Sequence, residues 1–306
     1  MPVANVDLLH GIVNDSTFIS QFTSSEVSPG IEAMVANAAG QIYPQFAANM
    51  GQKPEIRFTT PQVKSILDLV GSDGIHDLSA ANTDLYFKAA SDQGNRIASA
   101  NSSHNRYRVA QGFLVLESIS AGHRNEAQAT CRIICAYDGT NSPLVYAGSQ
   151  ALSGTPTSGE HFLVGECHLN GSEIDAIQDL NLDWGHNILQ AGGSGELYDT
   201  FNAQMQSQPT VSLTTFSTGF WGTATLNGLD LSSASFYLRK LSRTGRVADA
   251  TAEHIKFTLE DGLIYIDRTN GDGMSPNITS IMVRPIAASA TGLGITVAST
   301  AVAITT

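Results

Sequence analysis

An internal repeat constrains this chain more than any other feature. Residues 40–60 read Gly-Gln-Ile-Tyr-Pro-Gln-Phe-Ala-Ala-Asn-Met-Gly-Gln-Lys-Pro-Glu-Ile-Arg-Phe-Thr-Thr, and residues 195–215 say much the same again. At an offset of 155 without a gap, the segments share Gly40/Gly195, Tyr43/Tyr198, Phe46/Phe201, Ala48/Ala203, Met50/Met205, Pro54/Pro209, Thr59/Thr214 and Thr60/Thr215. Eight identities in 21 positions is several times the roughly one in twenty that average composition supplies. Upstream the register holds from about residue 6, with Ile19 facing Ile174 and Gly30 facing Gly185. Downstream the offset slips to 151 and then 150, matching Tyr86-Phe87-Lys88 to Tyr237-Leu238-Arg239, His104 to His254, Gly112 to Gly262 and Ile133 to Val283. A fixed-period repeat is to be found before any fold is assigned.

The repeat predicts two tandem units, 4–137 and 159–286, separated by a connecting arm at 138–158 and followed by an uncharged C-terminal arm or strand at 287–306. A length of 306 residues suits two domains, each with its own core. Only 14% of residues are charged, and acidic residues outnumber basic ones 28 to 16, for a net charge of −12. Such a surface repels phosphate, and no run of five basic residues offsets it. The first residues, Met-Pro-Val-Ala-Asn-Val-Asp, have neither the charged nor the apolar region of a secretory leader, so synthesis in the cytoplasm is expected. Seven Ser/Thr and two Gly make residues 287–306 too polar for a spanning helix; a strand or arm packed on a neighbouring domain or subunit is expected there.

Period-two alternation and turn residues predict a mainly β chain: two similar β-sandwich or barrel domains, each with one short flanking helix. Asn14-Asp15-Ser16 and Asn170-Gly171 read as turns between strands, the latter a strong hairpin signal. Glu55–Phe58 and Thr210–Leu213 read as strands. Thr60 as N-cap, Pro61 at the first helical position, Val63, Ile66, Leu67 and Val70 at helical spacing, and Gly71 as a stop predict a helix. Its counterpart, 216–226, carries two glycines and weaker periodicity, so a shorter helix is expected. Hairpins are expected across Gln111-Gly112 and Asp261-Gly262, with final strands at 129–136 and 278–286.

Catalytic signatures are weak. Cys131, Cys135 and Cys167 contain no Cys-x-x-Cys pair and read as buried thiols. His161 and His168, near Glu166 and Cys167, do not have a recognised metal spacing. The Asp267–Gly273 segment lacks the distant bidentate Glu of a calcium loop and reads as a connection between strands. Gly192-Gly193-Ser194-Gly195 has no Lys-Ser/Thr partner for phosphate, and no Gly-x-Ser-x-Gly elbow appears. Asp183-Trp184-Gly185-His186 is the most tempting polar cluster, but its counterpart Ser28-Pro29-Gly30-Ile31 shares only the glycine, which favours a turn. No catalytic, cofactor-binding or metal residue is assigned. The repeat signature itself, Gly40, Tyr43, Phe46, Met50 and Pro54 with Gly195, Tyr198, Phe201, Met205 and Pro209, is expected to supply core and turn positions.

The order of strand, Asn170-Gly171 turn, Leu180-Asn181-Leu182-Asp183-Trp184-Gly185, Gly195-x-x-Tyr198, Gln208-Pro209-Thr210-Val211-Ser212-Leu213-Thr214-Thr215, helix and hairpins resembles the tail-tube (major tail) proteins of long-tailed bacteriophages, or siphophages. The resemblance covers most of both units, on short motifs. It implies a non-catalytic virion protein whose β-sandwich units form six-fold rings stacked around a DNA-conducting channel. With two units per chain, it implies homotrimeric, pseudo-hexameric rings. The implied partners are further copies of the chain, a tape-measure protein, tail terminator or baseplate proteins, and passing DNA that is not read by sequence. An acidic chain suits a lumen through which DNA must slide. The chain departs from the pattern in showing no assignable glycine-rich stacking loop; 89–104 and 240–253 are the candidates. A duplicated-barrel capsid protein forming pseudo-hexameric trimers is the first alternative. A carbohydrate-binding surface protein is the second, weakened by having only Trp184 and Trp221 and no repeated carboxylate pair.

Overall fold

The computed structural model describes residues 6–14, 17–79, 82–90, 104–156, 158–217, 227–271, 276–287 and 294–304. Its first half runs β1 (Val6–Asn14), β2 (Thr17–Ile19), β3 (Ser24–Ser28), β4 (Ile31–Ala36), β5 (Phe46–Gln52), β6 (Glu55–Thr60), α1 (Val63–Val70), β7 (Ile75–Asp77), β8 (Thr83–Ala90), β9 (His104–Val109), β10 (Gly112–Gly122), β11 (Gln128–Cys135) and β12 (Leu144–Gln150). The second half runs β13 (Phe162–Leu169), β14 (Ser172–Glu173), β15 (Ile177–Asp183), β16 (His186–Ala191), β17 (Phe201–Ser207), β18 (Thr210–Thr215), β19 (Leu229–Leu231), β20 (Ala234–Ser242), β21 (Gly245–Arg246), β22 (His254–Leu259), β23 (Gly262–Asn270), β24 (Ile278–Pro285) and β25 (Thr296–Val302). The chain is mainly β and antiparallel.

The pairing pattern occurs twice. In the first half β12-β9-β8-β1-β2 form one sheet and β10-β11-β6-β3 another, with β7 on the β10 edge and β4-β5 as a separate ribbon. The second half repeats this as β25-β22-β20-β13-β14, β19-β23-β24-β18-β15 and β16-β17. Even the irregularities match. The β10–β11 ladder shifts register between Leu116 and Ser118, and β23–β24 shifts between Ile266 and Arg268, in both cases 150 residues apart. The halves are not separate sheets, however, because β10 pairs with β15 and joins them into one of ten strands.

Alternation places the core as expected. Ile56, Phe58 and Thr60 of β6, and Val211, Leu213 and Thr215 of β18, point inward and are buried. Burying a side chain of this size stabilises by roughly 1.5–3 kcal/mol relative to exposure. Asn170 and Gly171 both have positive φ, 49° and 77°, and close the β13–β14 hairpin, as the two central residues of such a turn require. The helix buries Val63, Ile66, Leu67 and Val70 but begins later than expected. Its N-cap is Gln62, while the Thr60 hydroxyl accepts from the Gln62 amide at 3.1 Å ahead of the helix. Gln62 is held in turn by accepting, through Oε1, from the Ser20 and Gln21 amides. The helix expected over 216–226 lies almost wholly outside the described residues.

Two expectations are corrected. The segments flanking Gly112 are not a hairpin, nor are those flanking Gly262. β9 pairs with β8 and β12 in one sheet while β10 pairs with β11 in the other, and β22 and β23 divide in the same way. At these corners the chain crosses between sheets with φ of +144° and +151°, and a Cβ would sit 1.9 Å from the Ile134 carbonyl oxygen and 2.4 Å from that of Arg284. Glycine is demanded by the crossing rather than by a tight turn. Nor is 138–158 simply an arm, because β12 within it pairs with β9 and completes the first unit's sheet. Likewise β25, in the uncharged tail, pairs with β22.

Core packing also crosses the seam between units. Trp184 is buried, donates from its indole Nε1 to the Ser72 carbonyl at 3.1 Å, and meets the Phe257 ring edge-on at 6.4 Å. The Val297 amide donates to Ser72 Oγ at 2.8 Å, and Ser299 Oγ donates to Asp68 at 2.6 Å. One cluster of buried apolar side chains runs through both halves.

Candidate self-association surface

Several of the titratable groups among the described residues are held in structural contacts. Asp84 is buried and accepts two bonds from Arg108, at 2.7 and 2.8 Å, and one from Tyr86 at 3.4 Å. Burial, and then the Asp84 charge, push the Tyr86 phenol up. Position for position, Asp84 and Arg108 correspond to Ser235 and Thr258, so this ion pair belongs to one unit only. Lys240 is flanked at 2.7 Å by both Glu160 and Glu253, whose hydrogen bonds hold its ammonium above the usual range. His161 bonds Glu126, and His168 lies 3.9 Å from Glu166. No cluster of three metal-ligating side chains occurs among the described residues. The three thiols are buried, and burial pushes Cys135 up to about 12 and the other two higher still, so none is a nucleophile.

The turn reading of Asp183-Trp184-Gly185-His186 agrees with the geometry. Gly185 has φ +56° and its Cβ would lie 2.2 Å from the Gln208 carbonyl oxygen; Gly30 has φ +58° and its Cβ would lie 1.9 Å from that of Lys53. The shared glycine marks the same sharp exit from the sheet in both units. What leaves the sheet there is a two-stranded ribbon, β4–β5 in the first unit and β16–β17 in the second.

These ribbons carry the repeat signature, and they carry it outward. Pro54 is buried and Pro209 half-buried at the return to the sheet, and Gly40 and Gly195 turn at φ +83° and +84°. The aromatic and sulfur side chains between them face solvent: Phe46 and Phe201 are 55% and 56% exposed, Met50 and Met205 62% and 63%. Met34 and Leu189 are also exposed at matching positions. The expectation that Tyr43, Phe46, Met50 and their counterparts fill the core is therefore wrong. A ribbon with no sheet stacked on it has no interior, so its periodic apolar residues stay in water until another surface covers them. Exposed apolar groups recurring at equivalent places signal an interaction surface rather than scattered surface residues.

The tips of the two ribbons have different surroundings. In the second, the Gln52 amide donates to the Leu197 carbonyl at 2.8 Å, Tyr198 packs on Tyr137 with ring centroids 5.4 Å apart, and its hydroxyl lies 3.3 Å from Ser142 Oγ. Asp199 adds an ion pair to Lys53 at 3.7 Å. The second ribbon is thus seated on the first unit. In the first, Ile42 and Tyr43 are 87% and 79% exposed. Of the suggested stacking loops, 89–104 lies mostly outside the described residues, and 240–253 forms a short polar hairpin through β21. The large apolar exposure is elsewhere, on the ribbons, and an amphipathic-pattern search could not have found it, because exposed and buried apolar strands read alike in sequence.

No helix among the described residues is long and apolar enough to cross a membrane. No protein-family model matches the chain, and no curated protein matches it either.

Proposed function

We propose that this chain is a non-catalytic, self-assembling virion protein: the subunit of a phage tail tube, joined laterally into trimeric rings of six units that stack around a DNA-conducting channel. One observation carries the reading. Two sequence-related units already lie side by side in one continuous antiparallel sheet, each with a matching exposed apolar ribbon. Joining units edge to edge is how a ring wall is built, and it pairs strand edges that otherwise invite aggregation. The apolar ribbon faces supply ring-to-ring contact, since interfaces of permanent assemblies are large and apolar. A net charge of −12 supports a lumen that does not hold DNA. Tape-measure and tail terminator or baseplate proteins are the further partners on this reading.

Class-averaged electron microscopy of the purified chain, and of particles containing it, tests the proposal. Three-fold rings with six similar lobes around a pore, stacking into tubes, are expected. Dispersed monomers, or the protein placed in an icosahedral shell, overturn it and favour the capsid alternative; saturable glycan binding by the isolated chain favours the carbohydrate-binding one.

A further inference from the structure

We propose that a second copy of this chain docks on the second unit as the second unit docks on the first: its β3 edge, Ser25–Ser28, pairs antiparallel with Arg268–Gly271, and its Ile42–Tyr43 tip fills the groove beside Ser207 and Ala287. The inference rests on the self-assembly reading and names the surfaces that carry it.

The seam inside the chain pairs Ser118 with Asp183, Ile119 with Leu182, Ser120 with Asn181 and Ala121 with Leu180. Matching registers identify the counterpart of each strand. Ser118↔Thr130 in the first unit corresponds to Arg268↔Ser280 in the second, 150 residues on, and Ser24↔Thr59 corresponds to Asp179↔Thr214, 155 residues on. Transferred with those offsets, the seam becomes Arg268 opposite Ser28, Thr269 opposite Val27, Asn270 opposite Glu26 and Gly271 opposite Ser25. Among the described residues no strand pairs with either edge. β3 ends the ten-stranded sheet, β19 covers β23 only over Gly262–Ile264, and Arg268 to Gly271 are all exposed. The join is head-to-tail, since the β10 edge meets the β15 edge and not its own equivalent. A heterologous contact of this kind repeats until it closes a ring or extends a filament.

The chemistry of the open edges differs from that of the closed seam in an informative way. Inside the chain, Ile119, Ala121, Leu180 and Leu182 are buried along the seam. Their counterparts are Thr269, Gly271, Ser25 and Val27. An edge that meets water before assembly is kept polar, as unpaired edges generally are. Glu26 and Arg268 make no ion pair among the described residues, and the transferred register sets them diagonally on one face, where opposite charges attract.

The tip contact transfers as well. Tyr198 is seated against Gln52, Tyr137 and Ser142. The positions of the second unit that correspond to Gln52 and Tyr137 are Ser207 and Ala287, 155 and 150 residues on, and both line an open groove of about 660 Å³ that also includes Gln208, Pro209 and Ile286. Alanine at the site of Tyr137 leaves space there, and Tyr43, the counterpart of Tyr198, is the exposed ring available to fill it. Edge and tip transfer in the same direction, from each unit to the one before it.

The test is a full-length chain carrying Val27→Cys and Thr269→Cys together, treated with a mild oxidant and, in parallel, a short bismaleimide so that disulfide geometry alone does not decide. The native thiols are buried and do not compete. A ladder of cross-linked multimers ending at one closed size is expected, with Val27→Cys plus Leu263→Cys giving at least tenfold less. Adding Tyr43→Ala is expected to lower cross-linking at least tenfold; an undiminished yield overturns the groove contact. Rings visible by microscopy with no cross-linking above the Leu263 control overturn the proposed docking while leaving self-assembly standing. Chains that stay monomeric at every concentration overturn both. Cross-linked rings that never appear in tails support the docking and overturn the tail-tube reading.

Discussion

The ribbons β4–β5 and β16–β17 have the same lengths, the same turn glycines and the same exposed Phe and Met, yet Tyr198 is seated and Tyr43 is not. Sequence accounts for part of the difference, since Asp199, which pairs with Lys53, stands where the first tip has Pro44, while the tyrosine itself is shared. Surroundings account for the rest. The second ribbon's tip lies against the first unit, and among the described residues nothing is seated on the tip of the first. On the proposed docking, the covered tip shows what the bare tip would meet.

The most severe way to break the comparison is at the root of the seated ribbon. Trp184→Ala removes a buried indole and its bond to Ser72, and is expected to cost about 3–5 kcal/mol of unfolding free energy in urea melts. Its counterpart Pro29 is exposed, and Pro29→Ala is expected to stay within about 0.5 kcal/mol. At the tips, Tyr198→Ala is expected to cost about 1–2 kcal/mol through the lost ring contact. Tyr43→Ala is expected to leave the melt within about 0.5 kcal/mol and to block oligomers in sedimentation velocity. Equal losses of stability at the two tyrosines would erase the distinction between seated and free tips.

Charge sharpens the comparison further. Glu26→Lys or Arg268→Glu alone is expected to weaken self-association several-fold at low salt, and the double reversal to restore it, a cross-strand effect of about 0.2–1 kcal/mol that fades as salt screens it. The smallest effect concerns His186, at the start of the seated ribbon. Desolvation holds its imidazole below the usual range against the opposing pull of Asp183. The unfolded chain therefore takes up a proton near pH 6.5 before the folded chain does, so stability is present above that pH and lost as pH falls through the lowered value. His186→Asn is expected to flatten that part of the stability–pH curve, measured by thermal melts between pH 7 and 5.

Much of this was legible from residues alone. Hydrophobic alternation located β6 and β18, the Asn170-Gly171 pair located its hairpin, and the spacing of Val63, Ile66, Leu67 and Val70 located the helix face. The corners at Gly112 and Gly262 misled, because a short Gly-containing link between strands reads the same whether the chain folds back or crosses to another sheet. The surface misled more. Tyr43, Phe46 and Met50 have the composition of a core, and only the absence of a second layer over their ribbon exposes them.

By itself the sequence determined that the chain is a duplicated, mainly β molecule, because repetition and periodicity are properties of order along the chain. That β10 meets β15, that Trp184 reaches Ser72, and that one tip is seated while its twin is bare were decided only by the tertiary structure. Those contacts depend on which edges and faces come within hydrogen-bonding and van der Waals reach once the sheets have formed, and local pattern carries no record of such distances.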